Sequence, residues 1–183
     1  MSGNHHLYVP GPSNVPAAVQ QAIHCPMEDH RNPTIPGLIT PLIEDLKKIV
    51  LTEKGKVVFF PSSGTGCWEA ALQSTLNIGD TVLGASFGQF SMLWLDMCTR
   101  LQFKAITMDE EWGTGANPES YHRELSKDKD HKIKAVLVCQ NETATGVRSD
   151  VLAIRKVLDD LNHPALLMVD GVSSVGSYEF RMD

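Results

Sequence analysis

The sequence predicts an α/β fold with a mainly parallel sheet flanked by helices. Residues 133–139 and 165–170 are apolar almost throughout, as is typical of strands that are covered on both faces. Segments with apolar residues at helical spacing alternate with these two runs and with shorter strand-like runs. Alternation of this kind predicts parallel strands that are joined by crossover helices.

The first half of the chain predicts a helix followed by alternating strands and helices. Apolar residues recur every three or four positions over residues 38–50, which indicates an amphipathic helix. The run Val-Val-Phe-Phe at residues 57–60 predicts a short buried strand. Asn77-Ile78-Gly79-Asp80 supplies a turn with glycine where a helix would stop. The remaining elements of this half are a helix, a strand, a helix and a strand, over residues 67–76, 81–85, 90–101 and 104–108.

The second half predicts two helices and two strongly apolar strands. Asn117 and Pro118 fit the cap and first turn of a helix. The strand at residues 133–139 comes next, and Ser149 can then cap a helix with an apolar face over residues 151–161. The last strand, residues 165–170, ends in a carboxylate. We interpret residues 1–55 as an N-terminal arm with helices and residues 56–183 as part of a larger sheet domain.

Composition excludes several classes of protein. Hydrophobic residues make up 42% of the 183 residues and charged residues 21%, as expected for a globular domain with its own core. No run approaches the roughly 20 apolar residues of a membrane-spanning helix, so we predict no membrane insertion. A net charge of −6 argues against nucleic-acid binding. The four cysteines form no Cys-x-x-Cys pair, so we predict neither a metal site nor a disulfide framework.

Three polar clusters follow predicted strands, at the edge where parallel α/β sheets bind ligands. The clusters are Ser63-Gly64-Thr65-Gly66, Asn141-Glu142-Thr143 and Asp170. The Ser63 cluster combines glycines and hydroxyl groups with the N-terminus of the next predicted helix. This combination is suited to binding a phosphate. A simple cap between a strand and a helix has the same composition and remains an alternative. Asp170 ends an apolar strand and needs a partner. That partner is either the protonated ring nitrogen of a cofactor such as pyridoxal phosphate (PLP) or neighbouring backbone N–H groups.

These clusters occur in order and spacing with two further motifs. The five motifs are Pro10-Gly11-Pro12, Glu28-Asp29-His30-Arg31, Ser63-Gly64-Thr65-Gly66, Asn141-Glu142-Thr143-Ala144-Thr145-Gly146 and Val169-Asp170-Gly171-Val172-Ser173-Ser174. Together they resemble the class V aminotransferases, and most closely the serine–glyoxylate and alanine–glyoxylate branch. The resemblance runs from about residue 5 to residue 183. It implies the large domain of PLP-dependent transferase fold type I, incomplete here because the small C-terminal domain is absent.

The resemblance also assigns roles to particular residues. It implies that Ser63, Gly64 and Thr65 hold the phosphate of PLP and that Phe90 stacks on the ring. It implies that Thr143 donates a hydrogen bond to the cofactor, that Asp170 is the catalytic partner of the ring nitrogen, and that Gly11 lines the substrate side. Judged without the resemblance, Phe90 would be taken as a core residue. Each position is occupied here by a residue that fits its role.

The Schiff-base lysine of this family would lie a few tens of residues beyond Asp170, and none of the lysines here matches it. We therefore expect a chain truncated before that lysine and inactive by itself. The resemblance implies that the full-length protein transfers an amino group from serine or alanine to glyoxylate as a homodimer. The location would be the peroxisome in a eukaryote or the cytoplasm in a bacterium. Two alternatives are a catalytically silent binding fragment and another class V enzyme, such as a cysteine desulfurase.

Overall fold

The computed structural model describes residues 6–183 and contains a parallel sheet flanked by helices. The strands in chain order are β1 (Thr81–Ser86), β2 (Lys104–Asp109), β3 (Ile133–Cys139), β4 (Asn141–Glu142), β5 (Val147–Arg148) and β6 (Leu166–Asp170). The helices are α1 (Ala17–Ile23), α2 (Ile35–Ile49), α3 (Gly64–Thr75), α4 (Gln89–Arg100), α5 (Pro118–Lys127) and α6 (Val151–Asp160). The predicted α/β class is confirmed.

The main sheet has the order β2-β1-β3-β6, and all three of its pairings are parallel. Strands β3 and β6 pair without a break from Ala135 opposite Leu166 to Cys139 opposite Asp170. The carboxyl ends of these two strands therefore lie side by side. The short strands β4 and β5 form an antiparallel hairpin directly after β3, which places the turn of that hairpin at the same end of the sheet.

The core lies on the sheet and is completed by side chains from the surrounding helices. Tyr121 of α5 is fully buried, and its phenol needs polar partners there. Its hydroxyl donates to the Leu137 carbonyl at 2.9 Å and accepts from the Ala85 N–H at 3.1 Å. Tyr121 thus joins β1 to β3 where the two strands begin to separate, next to the end that carries the polar clusters.

Two local predictions are wrong. Residues 57–60 form no strand, and Val58, Phe59 and Phe60 are 69%, 49% and 52% exposed. An extended segment becomes a strand only when a neighbour accepts its backbone hydrogen bonds, and no strand of residues 6–183 pairs with this one. The cap of α6 is Asp150, whose carboxylate accepts from the Ala153 N–H at 3.0 Å. Ser149 instead accepts a hydrogen bond from the Ala116 N–H.

The predicted N-terminal arm is helical and exposed. Helix α2 agrees with the amphipathic pattern, yet none of its residues is buried. After α2 the chain contacts residues near position 183: the Thr52 hydroxyl donates to the Asp183 carboxylate at 2.6 Å. Residues 1–5 of the arm lie outside the described residues, and the boundary at residue 55 stays a prediction. Within residues 6–183, no helix is both long enough and apolar enough to cross a membrane.

A buried hydrogen bond between His163 and Asp128 stabilises the opposite end of the sheet. His163 lies 3.3 Å from the Asp128 carboxylate, which also accepts from the N–H groups of Lys132 and Ile133. Nδ1 of His163 accepts from the Ala165 N–H, so the proton facing Asp128 is on Nε2. Burial alone would raise the pKa of Asp128, but these hydrogen bonds outweigh it and hold that pKa below its usual range. The pair ties the loop before β3 to the loop before β6.

Candidate active site

The phosphate-type turn lies at the start of α3. The helix begins at Gly64, three residues earlier than predicted, so the N–H groups of Gly64 and Thr65 belong to its first turn. The hydroxyl of the N-cap residue Ser63 makes no capping hydrogen bond. A Cβ added to Gly64 would lie 2.6 Å from Cγ2 of Val172. This close approach requires glycine and places the turn against the loop that follows β6.

Asp170 ends β6 with its carboxylate buried and fully engaged. Oδ1 accepts from the Val172 N–H at 2.9 Å. Oδ2 accepts from the Trp68 indole N–H at 3.2 Å and lies 3.8 Å from the Cys139 sulfur. Burial is the main influence on the carboxyl and raises its pKa, although these hydrogen bonds counter that effect. Such a desolvated carboxylate would interact strongly with a cationic partner.

The loop after β3 is hydrogen-bonded to the loop after β6. The Thr143 hydroxyl lies 2.9 Å from the Ser173 hydroxyl. The Asn141 amide donates to the same Ser173 oxygen at 2.9 Å, and Ser173 in turn donates to the Asn141 carbonyl at 3.0 Å. Thr143 is therefore held at the carboxyl edge of the sheet, beside the segment that begins at Asp170.

Glu142 is the first of two residues at this edge whose structural role sequence reasoning missed. Its side chain is fully buried, and its carboxylate accepts from the N–H groups of Phe90, Ser91 and Ala144 at 2.9–3.2 Å. Gly88 makes room for it, because an added Cβ would lie 2.2 Å from Cγ of Glu142. The carboxylate thus caps the N-terminus of α4 and joins that helix to the Thr143 loop. An acidic residue three positions after an apolar strand was the available signal.

Phe90 lies in the first turn of α4, and its side chain is 37% exposed. Phe90 is therefore not a core residue, although its position in a helix alone would favour that interpretation. The second missed residue is Trp68 of α3. Trp68 is buried, but its indole N–H bonds to Asp170. A tryptophan one turn after a phosphate-type motif was the only signal for it.

Gly11 stands apart from this cluster. It precedes a cis peptide bond to Pro12 in the exposed N-terminal segment, and a Cβ added to it would meet nothing within 4 Å. No hydrogen bond or close contact links it to the edge residues described above. Its assignment to the substrate side remains a prediction.

The other predicted residues lie on segments that are linked to one another. Gly64 contacts the loop after β6, Trp68 of α3 bonds to Asp170, Thr143 bonds to that same loop, and Glu142 joins Thr143 to the Phe90 helix. A glycine-containing helix N-terminus, a desolvated carboxylate and a helix that carries a partly exposed aromatic ring are therefore linked at the carboxyl edge of a parallel sheet. The fold and this arrangement agree with the large domain of a PLP-dependent enzyme of fold type I.

Comparison with known proteins gives the family. The chain belongs to the class-V aminotransferases, whose family model matches residues 37–183. It is 58% identical to a serine–glyoxylate aminotransferase of Hyphomicrobium methylovorum, with 100% of this chain and 45% of that protein covered. The protein of the same name from Methylorubrum extorquens is 54% identical, over 99% of this chain and 45% of that protein. An L-aspartate–glyoxylate aminotransferase of Paracoccus denitrificans is 45% identical, over 100% of this chain and 46% of that protein.

A solved structure agrees with the fold. The ureidoglycine–glyoxylate aminotransferase of Bacillus subtilis superposes with a TM-score of 0.89 at 26% identity, covering 100% of this chain and 46% of its own. The chain thus spans about 45% of the length of the curated relatives it matches. Membership of the family implies PLP as the cofactor. The residues present fit that group, since the first-turn N–H groups of α3 suit a phosphate and Asp170 offers a buried carboxylate.

Proposed function

We propose that the protein containing this chain transfers an amino group from serine or alanine to glyoxylate with PLP as cofactor. The observation that carries the proposal is the high identity to relatives whose names share glyoxylate as one substrate. That identity is 58%, 54% and 45% across nearly the whole chain. The cluster at the carboxyl edge of the sheet supports the cofactor part of the proposal independently of those names.

The residues of this chain would bind and orient the cofactor. PLP, when bound, carries the amino group between the two substrates and withdraws electrons from the reacting carbon. The first-turn N–H groups of α3 and the hydroxyls of Ser63 and Thr65 would hold its phosphate. Asp170 would keep the proton on the ring nitrogen. Phe90 would cover one face of the ring and exclude water, while Thr143 would donate a hydrogen bond from the loop after β3.

Aspartate is a second candidate donor. The relative from Paracoccus denitrificans is named for aspartate and is almost as similar as those named for serine. Its identity of 45% extends over the same 183 residues. Sequence similarity over this chain therefore does not distinguish serine from aspartate as the amino donor. Glyoxylate is common to all of these names, and the acceptor is therefore the better supported part of the proposal.

The decisive experiment is a matrix of amino donors and 2-oxo acids on the purified whole protein. We expect glyoxylate to be the preferred acceptor and serine or alanine to exceed aspartate as donor. Aspartate as the best donor would move the assignment to the second candidate. Turnover of none of the donors with glyoxylate, in a protein that binds PLP, would refute the proposed reaction.

We also propose that the whole protein is a homodimer. Helix α2 supports this, because Leu38, Leu42 and Ile49 are 67%, 45% and 49% exposed and form an apolar surface that nothing covers within residues 6–183. Light scattering should give twice the subunit mass. Leu42→Asp should weaken the dimer, whereas Leu152→Asp, on the exposed side of α6, should not. A monomeric wild-type protein would refute the proposal.

The compartment follows from the source. We propose the peroxisome for a eukaryotic source and the cytoplasm for a bacterial one. Fractionation of the source cells, followed by immunodetection of the protein, tests this directly. Detection in any other fraction would contradict it.

A further inference from the structure

Each carboxylate oxygen of Asp170 accepts a hydrogen bond from another residue of the chain. Oδ1 is fixed by the backbone of its own loop, through the Val172 N–H. Oδ2 is fixed from a different element, by the indole N–H of Trp68 on α3. Two other titratable groups face the carboxylate. Cys139 of β3 lies 3.8 Å from Oδ2, and the Glu142 carboxylate adds repulsion that raises the pKa of Asp170.

The two neighbouring tryptophans use their indole N–H groups differently. Trp68 and Trp94 are stacked with ring centroids 5.4 Å apart and planes inclined by 10°. Both side chains are buried, at 6% and 3% exposed. The Trp94 N–H is buried without a hydrogen-bond partner, whereas the Trp68 N–H bonds to Asp170. Both rings therefore contribute packing to the core. Of the two tryptophans, only Trp68 also makes a polar contact with the candidate active site.

We propose that Trp68 is a positioning residue for the cofactor, which acts by orienting the Asp170 carboxylate. The inference rests on the proposed function, in that Asp170 must pair with the ring nitrogen of PLP. A hydrogen bond to the charged form of an acid stabilises that form against the cost of burial. The same bond fixes the carboxylate plane, since it comes from a rigid ring packed against Trp94. Only an ionised and correctly oriented Asp170 can accept a hydrogen bond from the protonated ring nitrogen and so keep the proton there.

The matched variants are Trp68→Phe and Trp94→Phe. Each keeps an aromatic ring in the stack and removes one indole N–H, but only the first removes a bond to Asp170. PLP is titrated into the apo form of the whole protein, and its affinity is measured by fluorescence and absorbance across a range of pH. We expect Trp68→Phe to weaken PLP binding about tenfold, as for the loss of one hydrogen bond to a charged acceptor. Trp94→Phe should bind like the wild type.

The pH dependence has a definite sign. Binding weakens as the pH falls and Asp170 becomes protonated. Without the Trp68 N–H the pKa of Asp170 rises further, so the midpoint of this loss should move to higher pH in Trp68→Phe and stay in place in Trp94→Phe. An unchanged affinity and midpoint in Trp68→Phe would overturn the inference, and so would equal losses in the two variants.

A double-mutant cycle separates this inference from the proposed function. In an Asp170→Ala background, Trp68→Phe should have no further effect on PLP affinity. A full additional loss there would show that Trp68 acts through packing, which overturns the positioning role. If Asp170→Ala itself leaves PLP affinity unchanged, the proposed role of Asp170 fails. If Asp170→Ala weakens binding and Trp68→Phe does not, only the present inference fails.

A second variant covers the case in which Trp68→Phe does not fold. Benzothienylalanine at position 68 has the shape of tryptophan with sulfur in place of the N–H group. It should preserve the stack with Trp94 and still weaken PLP binding about tenfold, because the donor is lost. Wild-type affinity with this residue would overturn the inference whatever the behaviour of the phenylalanine variant.

Discussion

Replacement of Glu142 by glutamine tests whether a buried carboxylate organises the candidate active site. The two side chains have the same shape, so the change removes charge and one acceptor oxygen without creating a cavity. In the wild type the two oxygens accept from Phe90, Ser91 and Ala144. In the variant one oxygen becomes an NH₂ donor, which faces at least one backbone N–H of the same helix terminus.

The magnitude follows from what is lost. One hydrogen bond to a charged acceptor contributes about 1.5–3 kcal/mol, and a carboxylate at a helix N-terminus contributes about 0.3–1 kcal/mol more. A neutral amide costs less to bury than a carboxylate, which offsets part of the loss. We therefore expect Glu142→Gln to lower the free energy of unfolding by about 2 kcal/mol.

The assay is urea unfolding of the apo form of the whole protein, with hydrogen exchange to locate the change. Faster exchange should appear at the amides of Phe90, Ser91 and Ala144, the three donors to Glu142. Glu119→Gln is the matched control, because Glu119 also lies in the first turn of a helix but is exposed. If both variants unfold at the same urea concentration with unchanged exchange, Glu142 does not organise the site as described.

Three further predictions concern single positions. Asp170→Asn should cut turnover of the whole enzyme more than about a hundredfold, since a pairing of about 3 kcal/mol in the transition state is lost; a rate within threefold of wild type would contradict this. Ser63→Ala combined with Thr65→Ala should weaken PLP binding in a fluorescence titration, whereas the distant Lys127→Ala should not; equal losses would refute the phosphate assignment. Asp128→Asn should destabilise the protein by about 2 kcal/mol, measured by thermal unfolding. The wild type should lose this contribution as the pH falls from about 4 through the lowered pKa of Asp128, because the ionised form is the one bound in the fold; an unchanged acid profile in the variant would contradict the prediction.

Periodicity and apolar runs predicted most of the sheet and its helices. Strand β3 was predictable because it is buried along most of its length, and such strands have few polar positions to obscure them. Strand β6 was predictable because it is apolar up to Asp170, although it is an edge strand whose Leu166 is exposed and whose next three residues are only half-buried. The run at residues 57–60 has the same composition but forms no strand. Apolar composition predicts that the side chains of a segment are buried. It does not predict whether a neighbouring strand accepts the backbone hydrogen bonds of that segment.

The candidate site was predictable where a motif combines backbone and side chain. Asp170 ends a strand and Asn141 to Thr143 follow one, and the ends of parallel strands meet at one edge of the sheet. Ser63 to Thr65 contact that edge even though the strand predicted before them does not form. Glu142 and Trp68 were missed because their roles depend on contacts 51–52 and 102 positions away in the sequence. Their residue types alone suggest a solvated acid and a core aromatic.

The unbroken pairing of β3 with β6 limits how this protein can change in length. Cys139 and Asp170 are directly opposite each other at the last step of that ladder. Side chains alternate between faces along a strand, so one residue inserted into or deleted from β6 would turn Asp170 to the other side of the sheet. Insertions would be tolerated far better in the exposed loop between β2 and α5, around Gly113, where they would leave the ladder intact. Length variation among functional versions of this chain should therefore be confined to such loops, and a library with random single-residue deletions would map the boundary directly.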